Sequence, residues 1–425
     1  MRPPRKTVSL LLVSAMGLLA ACGPAPRPMP GPGAPLRVTV FATNHHLAPG
    51  HPLMPLLAAN APGIAALAPL WYKVAANGSV TDTSVAATKA WAAAHHIALT
   101  PLVINGGGGS AFLIHAAARA RAVSNLAAIL KSQPYTGLNI DFELLKTAAR
   151  SGLTSFETGL YAQAKAMGKT ITVDLIPAHS RRGLRYAYDF AALAKNSTDV
   201  VLMTYDAHDN TSKPGPIAPL AWVQQDVRQA LSAGVPKDKL VVGIADYGYD
   251  WAGSTKGSTV GLKQAEALLT KEHATLKRNR NGSPHFTYTK GGTRHIVWYE
   301  DSTSVVHKIA YARQLGVKGL ALWRAGYETA AYWKAVRAAA GTAGGGGAPM
   351  ATPSAAPSAP SSAASPAGGG GSGTAAGGAS GQGSSSASSA SSGASTPSGS
   401  SASGTSGTSA SGAAGGSAGS SSAVG

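Results

Sequence analysis

Thr136-Gly137-Leu138-Asn139-Ile140-Asp141-Phe142-Glu143 changes character at every step. In an extended strand successive side chains point to opposite faces, so Leu138, Ile140 and Phe142 share one face and Asn139, Asp141 and Glu143 share the other. A strand built this way buries its apolar set against covering helices and aims an amide and two carboxyls into an enclosed space. Such groups are costly to bury unless paired or protonated. Carboxyls at i and i+2 lie roughly 6 to 7 Å apart by strand rise, close enough to couple their titrations. One pKa is then expected to rise, as a general acid near neutral pH requires.

Working outward, similar β-rich runs recur at Arg37 to Thr43, Leu70 to Val74, Ala98 to Ile104, Thr170 to Ile176, Val200 to Tyr205, Leu240 to Ala245 and Gly319 to Trp323. Ala-rich helical patterns lie between them, at Ser84 to His95, Ala111 to Leu130, Leu153 to Met167, Pro219 to Ala233, Ser302 to Leu315 and Glu328 to Ala340. Strands that alternate with helices form parallel sheets, and eight of them predict an α/β fold closed into a (β/α)8 barrel, with an open doubly wound sheet as the alternative. One spacing is abnormal. After the seventh strand, residues 247–300 form an insertion with a helical piece near Leu262 to Lys271 and hairpin chemistry at Thr289-Lys290-Gly291-Gly292-Thr293. Insertions of this kind sit on the carboxyl face of a barrel, where they wall the site.

The 425 residues include 36 Lys and Arg against 18 Asp and Glu, a formal net charge of +18. From Gly341 to Gly425 there is no Asp, Glu, Lys or Arg, and a Ser/Gly/Ala-rich tail of that composition does not repay the entropy of ordering. Arg2, Arg5 and Lys6 precede an apolar run from Val8 to Ala21, the order of an export signal and too short for a spanning helix. Leu19-Ala20-Ala21-Cys22-Gly23 resembles the lipobox of bacterial lipoproteins, which implies cleavage before Cys22 and lipidation of its thiol. The alternative is an ordinary export signal with a chance Cys. One cysteine excludes a disulfide scaffold. The expected organisation is a signal over 1–21, a Pro-rich spacer over 22–35, a barrel over 36–340 and a disordered tail over 341–425. In an exported, membrane-anchored protein the positive charge points to anionic wall polymers or lipid headgroups rather than nucleic acid. The densest basic run, Lys271 to Arg280, reads as a solvated surface.

With these motifs in place, the chain resembles glycoside hydrolase family 18, the chitinase and endo-N-acetylglucosaminidase family, whose fourth strand bears D-G-x-D-x-D-x-E. Asp141 and Glu143 keep its last carboxyl pair, Asn139 stands at the preceding acidic position, and Thr136 replaces the leading Asp. The Asn variant resembles the spore-cortex and peptidoglycan-lytic branch. Val201-Leu202-Met203-Thr204-Tyr205-Asp206 is similar to the sixth-strand M-x-Y-D. Gly243 to Trp251, Val297 to Asp301 and Gly319 to Arg324 resemble the branch's later segments. The resemblance implies that the substrate's own N-acetyl group is the nucleophile, an exception to the rule of two catalytic carboxylates. It implies Glu143 as acid and base, Asp141 as the group that orients and balances the acetamide, and Tyr205 as a donor to its oxygen. Asn139, Met203 and Asp206 are implied in substrate binding, and Trp323 as an apolar floor under the sugar.

Other motifs lead elsewhere. Asn105-Gly106-Gly107-Gly108-Gly109-Ser110 follows a strand, but no Gly-Lys-Ser/Thr comes after it, so a phosphate cradle is not expected. His45-His46 and His95-His96 are adjacent pairs, which neither a strand nor a helix aims at one metal. No metal or organic cofactor is implied. One or two of Tyr247, Tyr249, Trp251 and Trp298 are expected to line the cleft. The expected protein is a monomer acting on N-acetylglucosamine-containing polysaccharide, peptidoglycan before chitin. The competing class is a carbohydrate-binding lipoprotein that uses the same cleft without turnover.

Overall fold

Val38, Val40 and Ala42 of the first strand pack outward into the large apolar shell, while Phe41 packs into a separate inner cluster. That division repeats around the computed structural model, which describes residues 34–47, 51, 53–106, 109–177, 184–253 and 256–342. The export segment, Cys22, nearly all of the spacer and the tail from residue 343 lie outside the described residues.

Eight parallel strands close on themselves: β1 Arg37–Ala42, β2 Ala66–Val74, β3 Leu102–Asn105, β4 Gly137–Asp141, β5 Thr170–Leu175, β6 Asp199–Leu202, β7 Leu240–Ala245 and β8 Gly319–Trp323. Closure is made by β1, which pairs with β8 through Arg37 beside Gly319 and with β2 through Thr39 beside Ala66. The (β/α)8 barrel expected from the alternation of elements is therefore the fold. Phe41, Ala68, Leu102, Val201, Val241 and Ala321 fill its middle. Leu138 and Ile140 of β4, Ile171 and Val173 of β5 and Leu320 and Leu322 of β8 face the helices instead. Alternation thus assigns each strand residue to the inner cluster or the outer shell.

Boundaries moved where local chemistry overrides the pattern. β4 ends at Asp141 and β6 at Leu202, so Glu143 and the Met203–Tyr205 step lie on the strand exits rather than within extended strand. The third strand run splits into Ala98–Leu99 and Leu102–Asn105 around Pro101, which has no N–H to give the ladder. The helix expected from Ala111 to Leu130 breaks at His115 into Ala111–Ile114 and Ala116–Ser132. Helices at Leu53–Asn60 and Phe190–Lys195 had no clear signal; each is short, with mean apolar character that reads equally as buried loop.

The insertion is a five-stranded antiparallel sheet. Strand Tyr247–Ala252 leaves β7 almost directly and pairs with Gly257–Gly261 and Thr293–Tyr299. Pro284–Lys290 joins Thr293–Tyr299 through Gly291 and Gly292, at φ 55° and 76°, the left-handed pair that a two-residue hairpin turn requires. Helix Leu262–Lys271 lies where expected.

Candidate active site

Glu143 follows the end of β4 and is half-buried, and its backbone is held from two neighbouring segments. Asn105, the last residue of β3, donates from Nδ2 to the Glu143 carbonyl at 2.8 Å and accepts from the Glu143 N–H at Oδ1 at 2.9 Å. The Tyr188 hydroxyl donates to the carbonyl of Phe142 at 2.7 Å. Leu144 then takes φ 54°, a left-handed conformation uncommon for a residue with a side chain, so the chain turns sharply behind the acid.

Three carboxyls meet there. Asp141 is 4% exposed and hydrogen-bonds through its side chain to Glu143. Asp174 of β5 is 2% exposed and lies near the amide of Asn139, itself 1% exposed. Burial, then the charge of Asp206, pushes the Glu143 pKa up to about 7, against a lowering by the Asp141 hydrogen bond. Burial and the neighbouring charges of Glu143 and Asp174 hold the Asp141 carboxyl well above the usual range. Burial likewise raises Asp174, although the nearby Asn139 amide lowers it. A carboxyl still protonated near neutral pH beside a reacting centre is what proton donation needs.

Tyr205 leaves β6 beside this group, and burial together with Asp141, Asp174, Glu143 and Asp206 raises its hydroxyl pKa. Gly243 of β7 makes room for it: a Cβ there would stand 2.8 Å from the Leu202 carbonyl and 3.0 Å from the Tyr205 ring. Met203, the residue before the tight turn to Tyr205, is 7% exposed. Asp206 sits at φ 62° and accepts from the Tyr247 hydroxyl at 2.7 Å and the Tyr249 hydroxyl at 3.0 Å. The insertion therefore fixes a carboxylate of the barrel. Trp323 ends β8, lies 5.5 Å from Phe41 between ring centroids, and packs against both the inner barrel cluster and the aromatic cluster of Tyr247, Tyr249 and Trp251. Asp246 holds that strand end: its N–H donates to the Trp323 carbonyl at 3.1 Å and its Oδ1 accepts from the Arg324 N–H at 2.7 Å.

Of the residues singled out in the sequence, the structure brings Asp141, Glu143, Tyr205, Asp206 and Trp323 to the carboxyl end of the barrel. Asn139 lies one layer deeper and lines an inner cavity with Thr39, Thr100, Thr172 and Asp199. Asn105, Asp174, Tyr188 and Asp246 belong to the site without being among the residues singled out for it in the sequence. A signal existed for two of them: Asp174 is a lone acid at an inward position of an apolar strand, and Asn105 is a polar residue closing one. Among the described residues no three His, Cys, Asp or Glu side chains are grouped to hold a metal ion.

Residues 71–328 match the profile of glycosyl hydrolases family 18. The chain belongs to that family. It is 30% identical over 229 residues to the uncharacterized glycosylase YvbX of Bacillus subtilis strain 168, covering 52% of this chain and 66% of that one. It is 29% identical over 209 residues to the cortical fragment-lytic enzyme of the same organism, covering 47% and 48%. This family 18 chain thus spans about half to two thirds of the length of these curated relatives. A chitinase from Chromobacterium violaceum ATCC 12472 superposes with a TM-score of 0.66 at 26% identity, covering 72% of this chain and 98% of the chitinase.

Proposed function

We propose that this family 18 chain is a retaining, substrate-assisted glycoside hydrolase that cleaves β-1,4 bonds beside N-acetylglucosamine, in peptidoglycan before chitin. The observation that carries the reading is the placement of Glu143, half-buried at the barrel mouth beside Asp141, where burial and the charge of Asp206 push its carboxyl pKa up to about 7. Glu143 gives its proton to the glycosidic oxygen as the N-acetyl carbonyl attacks the anomeric carbon. Asp141 orients the acetamide and balances the positive charge of the oxazolinium. Tyr205 donates to the acetamide oxygen, Met203 and Asp206 border the same sugar, and Trp323 stacks beneath it. Water then opens the intermediate with Glu143 as base, so the anomeric configuration is retained.

The preference for peptidoglycan is supported by the similarity to a cortical fragment-lytic enzyme and by the net charge of +18, which suits an anionic wall. Export and lipidation at Cys22 complete the reading and rest on the sequence of the first 22 residues; the substrate-assisted chemistry at Glu143 does not depend on them. Metabolic labelling with a fatty acid, compared between the parent and Cys22→Ala, tests the anchor.

Purified protein and its Glu143→Gln variant, incubated with labelled peptidoglycan and with chitin oligomers, test the activity. Reducing ends are expected from the parent, with turnover about 10²- to 10⁴-fold lower in the variant, the usual worth of acid and base assistance. Equal binding by both proteins without release of reducing ends from either would make this a carbohydrate-binding protein.

A further inference from the structure

Asp174 is the one acidic residue of β5, Thr170-Ile171-Thr172-Val173-Asp174-Leu175. Ile171, Val173 and Leu175 pack in the outer shell, so alternation turns Asp174 into the barrel. β4 and β5 run parallel with Asn139 beside Thr172 and Ile140 beside Val173. The next step of that register sets Asp141 beside Asp174, on strands roughly 4.8 Å apart. Each of these two carboxyls also keeps a buried Oδ1 without a hydrogen-bond partner in the protein. Asn139, at the position the family motif fills with an acid, contributes only an amide, which lies near Asp174.

Two carboxyls this close in a space closed to water do not both ionise; they hold one proton between them. We propose that Asp174 is a positioning residue for the hydrolytic reaction, sharing one proton with Asp141, so that β5 supplies the carboxyl that position 139 lacks. The inference rests on the hydrolase reading above. In the resting site Glu143 carries its own proton, and the Asp141–Asp174 pair carries one proton and one negative charge. Glu143 gives its proton to the glycosidic oxygen, the bond from that oxygen to the anomeric carbon breaks with its electron pair going to the oxygen, and the acetamide oxygen bonds the anomeric carbon. The carboxyls pass from one negative charge to two as the oxazolinium gains one positive charge. Throughout, the pair keeps its single charge beside the acetamide.

The titratable groups facing the pair among the described residues are Glu143 from the β4 exit, Tyr205 and Asp206 from the β6 exit, Tyr188, and Glu157 from helix Arg150–Ala166. None of them is a cation, so nothing named here stabilises two charges on the pair.

The test combines kinetics with carboxyl ¹³C titrations of the full chain, in the parent, Asp174→Asn, and Asp174→Asn combined with Asn139→Asp. In Asp174→Asn the Asp141 midpoint is expected to fall by on the order of one pH unit, because its partner no longer competes for charge. Its kcat is expected to fall by up to about 100-fold, the cost of a misplaced catalytic group, with KM changed far less. Moving the acid to position 139 is expected to restore part of both. An Asp141 titration in Asp174→Asn that overlays the parent's would overturn the shared proton, and kcat loss with that overlay would make Asp174 a packing residue. The titration needs no turnover, so an inactive parent would sink the hydrolase reading while the shared proton was still decided.

Discussion

Asn105 grips Glu143 by both of its backbone polar groups, donating to the carbonyl at 2.8 Å and accepting from the N–H at 2.9 Å. A side-chain amide is the one neutral group with a donor and an acceptor spaced to replace a strand neighbour in this way. The pairing continues the β3–β4 ladder past the end of β4 and holds the acid where the strand no longer can.

Asn105→Ala leaves two backbone groups unpaired beside a half-buried carboxyl. An unmet buried hydrogen bond costs about 1 to 3 kcal/mol, so a loss of roughly 2 to 6 kcal/mol is expected in urea unfolding. Because the acid itself remains, kcat is expected to fall by at least about tenfold while KM holds; an unchanged kcat would show that the grip serves folding alone.

The Glu143 carboxyl is pushed up to about 7 from an unfolded value near 4.5. Turnover that needs its proton is expected to decline as pH rises through about 7, and the limb should be absent in Glu143→Gln. Stability has the opposite sign from a salt-bridged acid. Below pH 4.5 both states hold the proton and nothing is lost; between 4.5 and 7 the unfolded state ionises first, and native stability falls until both are ionised. Glu143→Gln removes that loss, so the melting temperature of the variant relative to the parent is expected to rise from pH 4 to pH 8. A difference independent of pH would show that the acid is not perturbed.

Tyr247 and Tyr249 converge on one oxygen of Asp206. Tyr247→Phe removes the shorter bond. Hydrogen bonds to a charged group contribute about 1.5 to 3 kcal/mol, so KM for a chitin or muropeptide oligomer is expected to rise roughly tenfold or more, with kcat less affected. A kcat defect with unchanged KM would place Asp206 in the chemistry rather than in sugar binding.

Gly248 lets the insertion sheet approach itself. A Cβ there would lie 2.0 Å from the Trp298 carbonyl and 2.4 Å from the Tyr299 Cα, both backbone atoms that have no rotamer to change. Gly248→Ala is expected to destabilise by on the order of 3 kcal/mol in urea and to weaken substrate binding through the loosened Tyr247 and Tyr249. A parent-like unfolding midpoint would refute the packing argument.

The period-two pattern of each barrel strand was readable from the chain because burial on one side and enclosure on the other act residue by residue. The Leu138 and Ile140 face of β4 and the Asn139 and Asp141 face separated as alternation requires. Strand ends were less legible: Glu143 and Tyr205 leave their strands where Asn105, Tyr188 and Gly243 make the turn possible, and those partners are remote in sequence. Helices Leu53–Asn60 and Phe190–Lys195 carry no legible pattern because they are too short for a 3.6-residue period to stand out.

What the amino-acid order determined by itself was local: which residues lie inward or outward on each strand, that eight strands alternate with helices, and that Asn139 and Asp141 share the inward face of the fourth, with Glu143 just past its end. What only tertiary structure decided was which distant groups meet them. Asn105 reaches Glu143, Asp174 comes beside Asp141, and Tyr247 reaches Asp206 because barrel closure sets the register between strands far apart in the chain. Alternation is imposed by the geometry of each strand, whereas the shift that brings two strands into register is fixed by the packing of the whole barrel.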